Sequence, residues 1–110
     1  MNVHQRLRDH CLAKPGAVEE YPWEEIAWKI GGKVFAITSK DSSRVTLKST
    51  PAKQSALIQH PHIEVAPYVG RYGWVTIDMV DEETLQLALE LADESYELAA
   101  NPKKRGRSRA

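Results

Sequence analysis

Two imidazoles one residue apart, in His60-Pro61-His62, are the first side chains along this sequence whose type and spacing invite a metal. A metal site needs three or four ligands in compatible geometry, and no HExxH, CxxC or paired-carboxylate motif supplies the rest. These histidines therefore read as turn or helix-end residues. Cys11 beside His10 invites a second reading, a thiol nucleophile with its base. Neighbours on a helix project about 100° apart, however, so His10 does not face Cys11, and the cysteine falls on an apolar stripe as a small buried hydrophobe. GxSxG, Walker and GxGxxG patterns are absent, and Gly31-Gly32 is accounted for by a hairpin. The chain is expected to bind rather than to catalyse, with no metal and no cofactor.

The residues with the clearest binding chemistry are cations: Lys29, Lys33, Arg44, Lys48 and Arg71, joined by Trp74. Cations spaced along a surface neutralise phosphates, and protruding loops reach a groove. An indole adds a surface on which a base can stack, worth about 1 to 3 kcal/mol. The turn at 40–44 and the loop at 68–73 are candidate wings. The plainer alternative is that these cations solvate an open sheet face and discourage edge pairing, with Trp74 covering that same face.

Charge is unevenly placed along the 110 residues. The 15 basic and 15 acidic groups divide into balances of −2 over residues 1–25, +4 over 26–80, −7 over 81–102 and +5 over the remainder. With 42% hydrophobic and 27% charged residues, the composition is that of one globular domain. The start, MNVHQRLRDH, lacks the apolar stretch of a secretory signal, and a lone cysteine makes no internal disulfide, so a cytoplasmic location is expected. No apolar run approaches the roughly 20 residues that cross a bilayer.

Several elements must position these groups. Val3, Leu7 and Cys11 recur every four residues, predicting a helix that Pro15-Gly16 ends. An acidic, proline-containing connection (Glu19, Glu20, Pro22) leads to Ile26-Ala27-Trp28-Lys29-Ile30, whose period-two pattern predicts a strand. Gly31-Gly32 supplies a tight hairpin to a second strand, Val34 to Thr38. The turn Lys40-Asp41-Ser42-Ser43 leads to a third, in which Val45 and Leu47 face the core while Arg44, Thr46 and Lys48 face away. Thr50-Pro51 opens a short second helix stopped by His60-Pro61. Ile63 to Pro67 reads as a brief edge strand and Val75, Ile77 and Met79 as one face of the last, with Trp74, Thr76 and Asp78 on the other. Asp81 caps a long third helix whose stripe includes Leu85, Ala88, Leu89, Ala92 and Tyr96. Trp28 and Tyr96 belong to the core.

Five stretches together resemble the MmcQ/YjbR family of small bacterial proteins: Lys14-Pro15-Gly16-Ala17 with Trp28 to Ala36, then Val45-Thr46-Leu47-Lys48, Pro67, Gly73-Trp74-Val75 and Ser95-Tyr96. The resemblance covers nearly the whole chain except its end. It implies a frataxin-like and secretion-chaperone-like α+β fold, and a DNA-binding protein with a double-wing arrangement.

The expectation is an α+β two-layer sandwich, an antiparallel five-stranded sheet with helices in the order α-β-β-β-α-β-β-α. Residues 1–100 form the single domain and residues 101–110 a disordered basic tail. That tail either adds sequence-independent affinity for nucleic acid or merely solubilises the end. The function expected is non-enzymatic binding of DNA through Lys29, Lys33, Arg44, Lys48, Arg71 and Trp74, by a monomer or weak dimer. The alternative is a protein–protein adaptor or chaperone-like module using the same sheet face.

Overall fold

In the computed structural model, which describes residues 2–40 and 42–101, Asn2 accepts a hydrogen bond from Gln5 N at 2.8 Å and so caps the first helix, α1 (Val3–Leu12). Its four-residue stripe turns Leu7 and Cys11 wholly inward, with Val3 packed at the margin of the core. The other helices are α2 (Pro51–Leu57), capped by Thr50 with proline in its first turn, and α3 (Glu82–Ala100). Asp81 and Thr84 close α3 with a reciprocal capping box, each side chain satisfying the other's backbone N–H. The predicted tail from residue 102 onward lies outside the described residues.

The strands are β1 (Val18–Glu20), β2 (Glu25–Ile30), β3 (Lys33–Ser39), β4 (Arg44–Leu47), β5 (Ile63–Val65) and β6 (Val75–Asp78). They form one sheet in the order β1-β2-β3-β4-β6-β5, with every neighbouring pair antiparallel. The expected sheet has five strands; among the described residues there are six, so the element order is α-β-β-β-β-α-β-β-α. The additional strand, β1, occupies the stretch expected to be a connection. Three residues, Val-Glu-Glu, carry no alternation to read. What makes them a strand is tertiary: Glu19 lies opposite Trp28 in the register. Its carboxylate accepts from Trp28 Nε1 at 2.8 Å, from Arg8 Nε at 2.8 Å and from the Tyr21 hydroxyl.

Cross-strand partners share a face, so the registers place Trp28, Ala36, Leu47 and Val75 together, and with them Val45, Ile77 and Ile63. All are buried, under α1 and α3. A bulge between Trp28 and Lys29 leaves Phe35 as the extra residue on β3. Phe35 turns inward and meets Tyr96 of α3 edge-on, with ring centroids 5.6 Å apart. Arg6 grips Glu82 through two hydrogen bonds of 2.7 and 2.9 Å, tying α1 to α3. An ion pair between Lys53 and Glu94 ties α2 to α3. The opposite face of the sheet carries Lys29, Arg44, Thr46 and Glu64, and among the described residues no helix packs over it.

Gly31 and Gly32 have φ of 57° and 81°, the left-handed pair that a two-residue hairpin between right-twisted strands demands.

Candidate nucleic-acid interface

The registers sort the six predicted contact residues by end of the sheet. Lys29 pairs with Val34 and Lys33 with Ile30, next to the Gly31-Gly32 hairpin. Lys48 follows Leu47 and Trp74 precedes Val75, and Leu47 and Val75 are themselves partners, so these two residues lie toward that same end. Arg71 lies in a 3-10 turn (Gly70–Tyr72) within the loop joining β5 to β6, which leaves the sheet there too. Arg44 pairs with Asp78 at the other end. The two candidate wings are consequently rooted at opposite ends, and Pro67 turns back over the open face to wall a depression of about 220 Å³ floored by Thr46 and Thr76.

Electrostatics divide the set further. Arg44 is ion-paired with Glu64, and its guanidinium lies 3.9 Å from Asp78. Lys29 Nζ donates to Glu20 at 3.0 Å. Exposed pairs of this kind contribute about 0 to 1 kcal/mol, so their main effect is to cancel the field of the sheet face rather than to hold it together. Among the described residues no carboxylate pairs with Lys33 or Arg71. The Arg71 guanidinium stacks 4.9 Å from the Tyr72 ring centroid. Lys48 Nζ stands 5.4 Å over the Trp74 ring.

Trp74, expected to stand out on the Thr76 side of the sheet, is only 8% exposed. Lys48 covers its ring, so a base reaches that indole only by displacing the lysine. At this end of the sheet the aromatic rings that stand in water are Tyr68 and Tyr72, in a stretch whose Tyr-Val-Gly-Arg-Tyr-Gly composition marks a loop but gives no sign of a platform. Tyr68 is 97% exposed, with φ of 66°. A left-handed backbone at a bulky residue is costly and persists only where its surroundings impose it.

Val69 N donates to Pro67 O at 2.6 Å across Tyr68, and Gln54 and Gly73 hold the rest of the loop. Gln54 Nε2, from α2, donates to the carbonyls of Gly70 at 2.7 Å and Trp74 at 2.9 Å. Gly73 has φ of 100° and passes so close to α2 that a Cβ there would lie 2.4 Å from the Thr50 carbonyl carbon. A short helix with no fully buried residue thus fixes the loop that carries Tyr68, Arg71 and Tyr72. Sequence reasoning missed Gln54, because the partners of a lone glutamine are set by tertiary structure.

The other reactive side chains have structural roles. Cys11 is wholly buried, and burial pushes its thiol up to about 12. His60 Nδ1 accepts from His62 N at 3.0 Å, closing the turn after α2. Among the described residues no group of three or more His, Cys, Asp or Glu could hold a metal ion, and no helix is long and apolar enough to cross a membrane.

Comparison with known proteins bears on most of the chain. Residues 12–98 match the family model described as YjbR. A Deinococcus radiodurans protein whose crystal structure represents the domain DUF419 is 28% identical; the alignment covers 86% of this chain and 76% of that one, with a TM-score of 0.75. The crystal structure of a Pseudomonas syringae protein, 18% identical, aligns over 90% of this chain and 99% of its own with a TM-score of 0.68, a likeness of fold. No curated protein matches.

Proposed function

The chain belongs to the YjbR family, and from that premise we propose that it is a non-enzymatic, cytoplasmic DNA-binding protein, a monomer or weak dimer, that contacts unpaired bases through the Gly31-Gly32 end of its sheet. The observation that supports this reading best is Tyr68, held in water by a left-handed backbone in a loop that also carries Arg71 on Tyr72. Rings that offer a free face, interleaved with cations, are what a single strand needs: stacking accepts any base, and the cations follow the backbone. Lys33 and Lys48 add positive charge at the same end. Lys29, Arg44 and Trp74 are secondary contributors, since two are ion-paired with neighbouring carboxylates and the third is covered.

The test is fluorescence anisotropy of a labelled single strand and a labelled duplex of mixed sequence at low and near-physiological salt. Tyr68→Ala is expected to weaken single-strand binding by about fivefold to a hundredfold, the range set by the loss of one stacked base. Affinity should also fall steeply as salt rises. Binding of the single strand with undiminished affinity by both Tyr68→Ala and Arg71→Glu would remove this reading. The adaptor reading has its own support at the opposite end of the sheet, where Trp23 stands in water.

A further inference from the structure

The turn joining β1 to β2 reads Glu19-Glu20-Tyr21-Pro22-Trp23-Glu24-Glu25, an aromatic pair between two pairs of carboxylates. Glu25 N donates to Pro22 O at 3.0 Å and closes the turn. Trp23 takes a φ of 58° and is 95% exposed. Trp23 and Tyr68 are the two non-glycine residues with positive φ among those described, and both hold an aromatic ring in water. A large apolar ring kept in solvent by a left-handed backbone marks a contact surface rather than a packing accident.

A cleft of about 390 Å³ opens beneath this turn, floored by Ile26 and walled by Tyr21, Trp23 and Lys40. Three carboxylates line it, Glu19, Glu24 and Glu25, and they differ from one another and from the neighbouring Glu20 in what they face. Glu19 is engaged inside by Arg8, Trp28 and Tyr21, and Glu20 by Lys29. Glu24 and Glu25 also line the cleft, both exposed, and among the described residues neither pairs with a cation. An indole face attracts a cation through its quadrupole, unpaired carboxylates add charge, and an apolar floor covers an aliphatic stem. That combination fits an arginine or lysine side chain. Arg8 also lines the cleft but is held by Glu19, which leaves two unpaired carboxylates, Glu24 and Glu25, against one lysine, Lys40, so the lining favours a cation over a phosphate.

We propose that the Trp23 cleft docks an arginine- or lysine-bearing segment of a partner protein. The cation lies on the Trp23 ring between Glu24 and Glu25, and its methylene stem covers Ile26. This site is at the opposite end of the sheet from Tyr68 and stands independently of DNA binding.

The experiment uses the full chain and two labelled hexapeptides, one alternating arginine with glycine and one alternating glutamate with glycine, read by anisotropy. The arginine peptide should bind saturably and the glutamate peptide should not. Trp23→Leu keeps an apolar side chain but removes the ring, and should weaken the arginine peptide about fivefold or more; the double variant Glu24→Gln/Glu25→Gln should weaken it similarly and flatten its salt dependence. Because Trp28 and Trp74 are buried, iodide quenching reports on Trp23, and the bound peptide should protect it. Neither variant should change the melting temperature or the affinity for an oligonucleotide. Undiminished affinity in Trp23→Leu, or a loss seen instead on neutralising Glu90 and Glu94 of α3, would overturn the proposal. So would sedimentation showing that the chain self-associates through Trp23, which would make a second copy the occupant.

Discussion

Gln54 and Trp74 are joined by a hydrogen bond of 2.9 Å from the Gln54 side-chain amide to the Trp74 carbonyl, and the same amide group reaches Gly70 at 2.7 Å. One side chain on α2 therefore closes both ends of the turn that presents Arg71 and Tyr72. Gln54→Leu keeps the volume and removes the donor. Each carbonyl retains one other partner, Gly73 N at 2.9 Å and Ala66 N at 3.2 Å, so the expected loss in urea denaturation is about 1 kcal/mol, the value of a hydrogen bond rather than of an orphaned buried group. Amide exchange should rise across residues 70–74 and not in β2 or β3; a uniform rise would mean that Gln54 supports the whole fold.

Gly73→Ala should cost more. The new Cβ must adopt a φ of 100° and would meet Thr50 and Pro51 backbone atoms at 2.4 and 2.6 Å. Backbone has no rotamer with which to retreat, and Thr50 is also the cap of α2. A loss of about 3 kcal/mol is expected from the sum of strained backbone and overpacking, read from the same denaturation curves. A variant as stable as the parent would show that α2 and the loop move apart freely.

Arg44→Glu and Arg71→Glu change net charge equally but are expected to differ in effect. Arg44 already faces Glu64 and Asp78, so its reversal should alter oligonucleotide affinity by less than about twofold, whereas reversal of Arg71 removes a cation that no described carboxylate neutralises and should weaken the phosphate contribution and its salt slope. Equal losses would mean that total charge, not position, governs binding.

Acid stability should depend on Glu19. Burial raises its carboxyl, but the donors Arg8, Tyr21 and Trp28 outweigh this and hold it at about 2, below the ordinary 4.5. As pH falls below about 4.5, the unfolded chain takes up this proton while the folded chain does not, so stability declines until pH reaches about 2. Glu19→Gln should show a flatter melting temperature across that window and a lower one at neutral pH. Parallel curves for the two proteins would assign the acid transition to other carboxylates.

Much of this architecture is legible in the sequence, for identifiable reasons. Thr50-Pro51 and Asp81 announce their helices because capping is local chemistry. The inward face of Val45, Leu47, Val75 and Ile77 follows from period-two alternation. β1 is not legible, because its three residues are a strand only through what Glu19 finds across it. Alternation also states which side of the sheet Arg44 and Trp74 occupy but not what meets them there. The carboxylates that neutralise Arg44 come from β5 and β6, and the lysine over Trp74 from the end of β4. Tyr68 and Trp23 escaped notice for a related reason: a positive φ at a non-glycine residue has no signature in composition.

Those two left-handed aromatics set stability and recognition against each other. Glycine at position 23 or 68 would relieve a backbone strain on the order of 1 kcal/mol or more, and because both rings are in water its introduction sacrifices almost no packing. A library of this chain enriched only for heat resistance should drift toward glycine or asparagine at those positions, whereas one enriched for capture of a partner should retain the rings and accept a lower melting point.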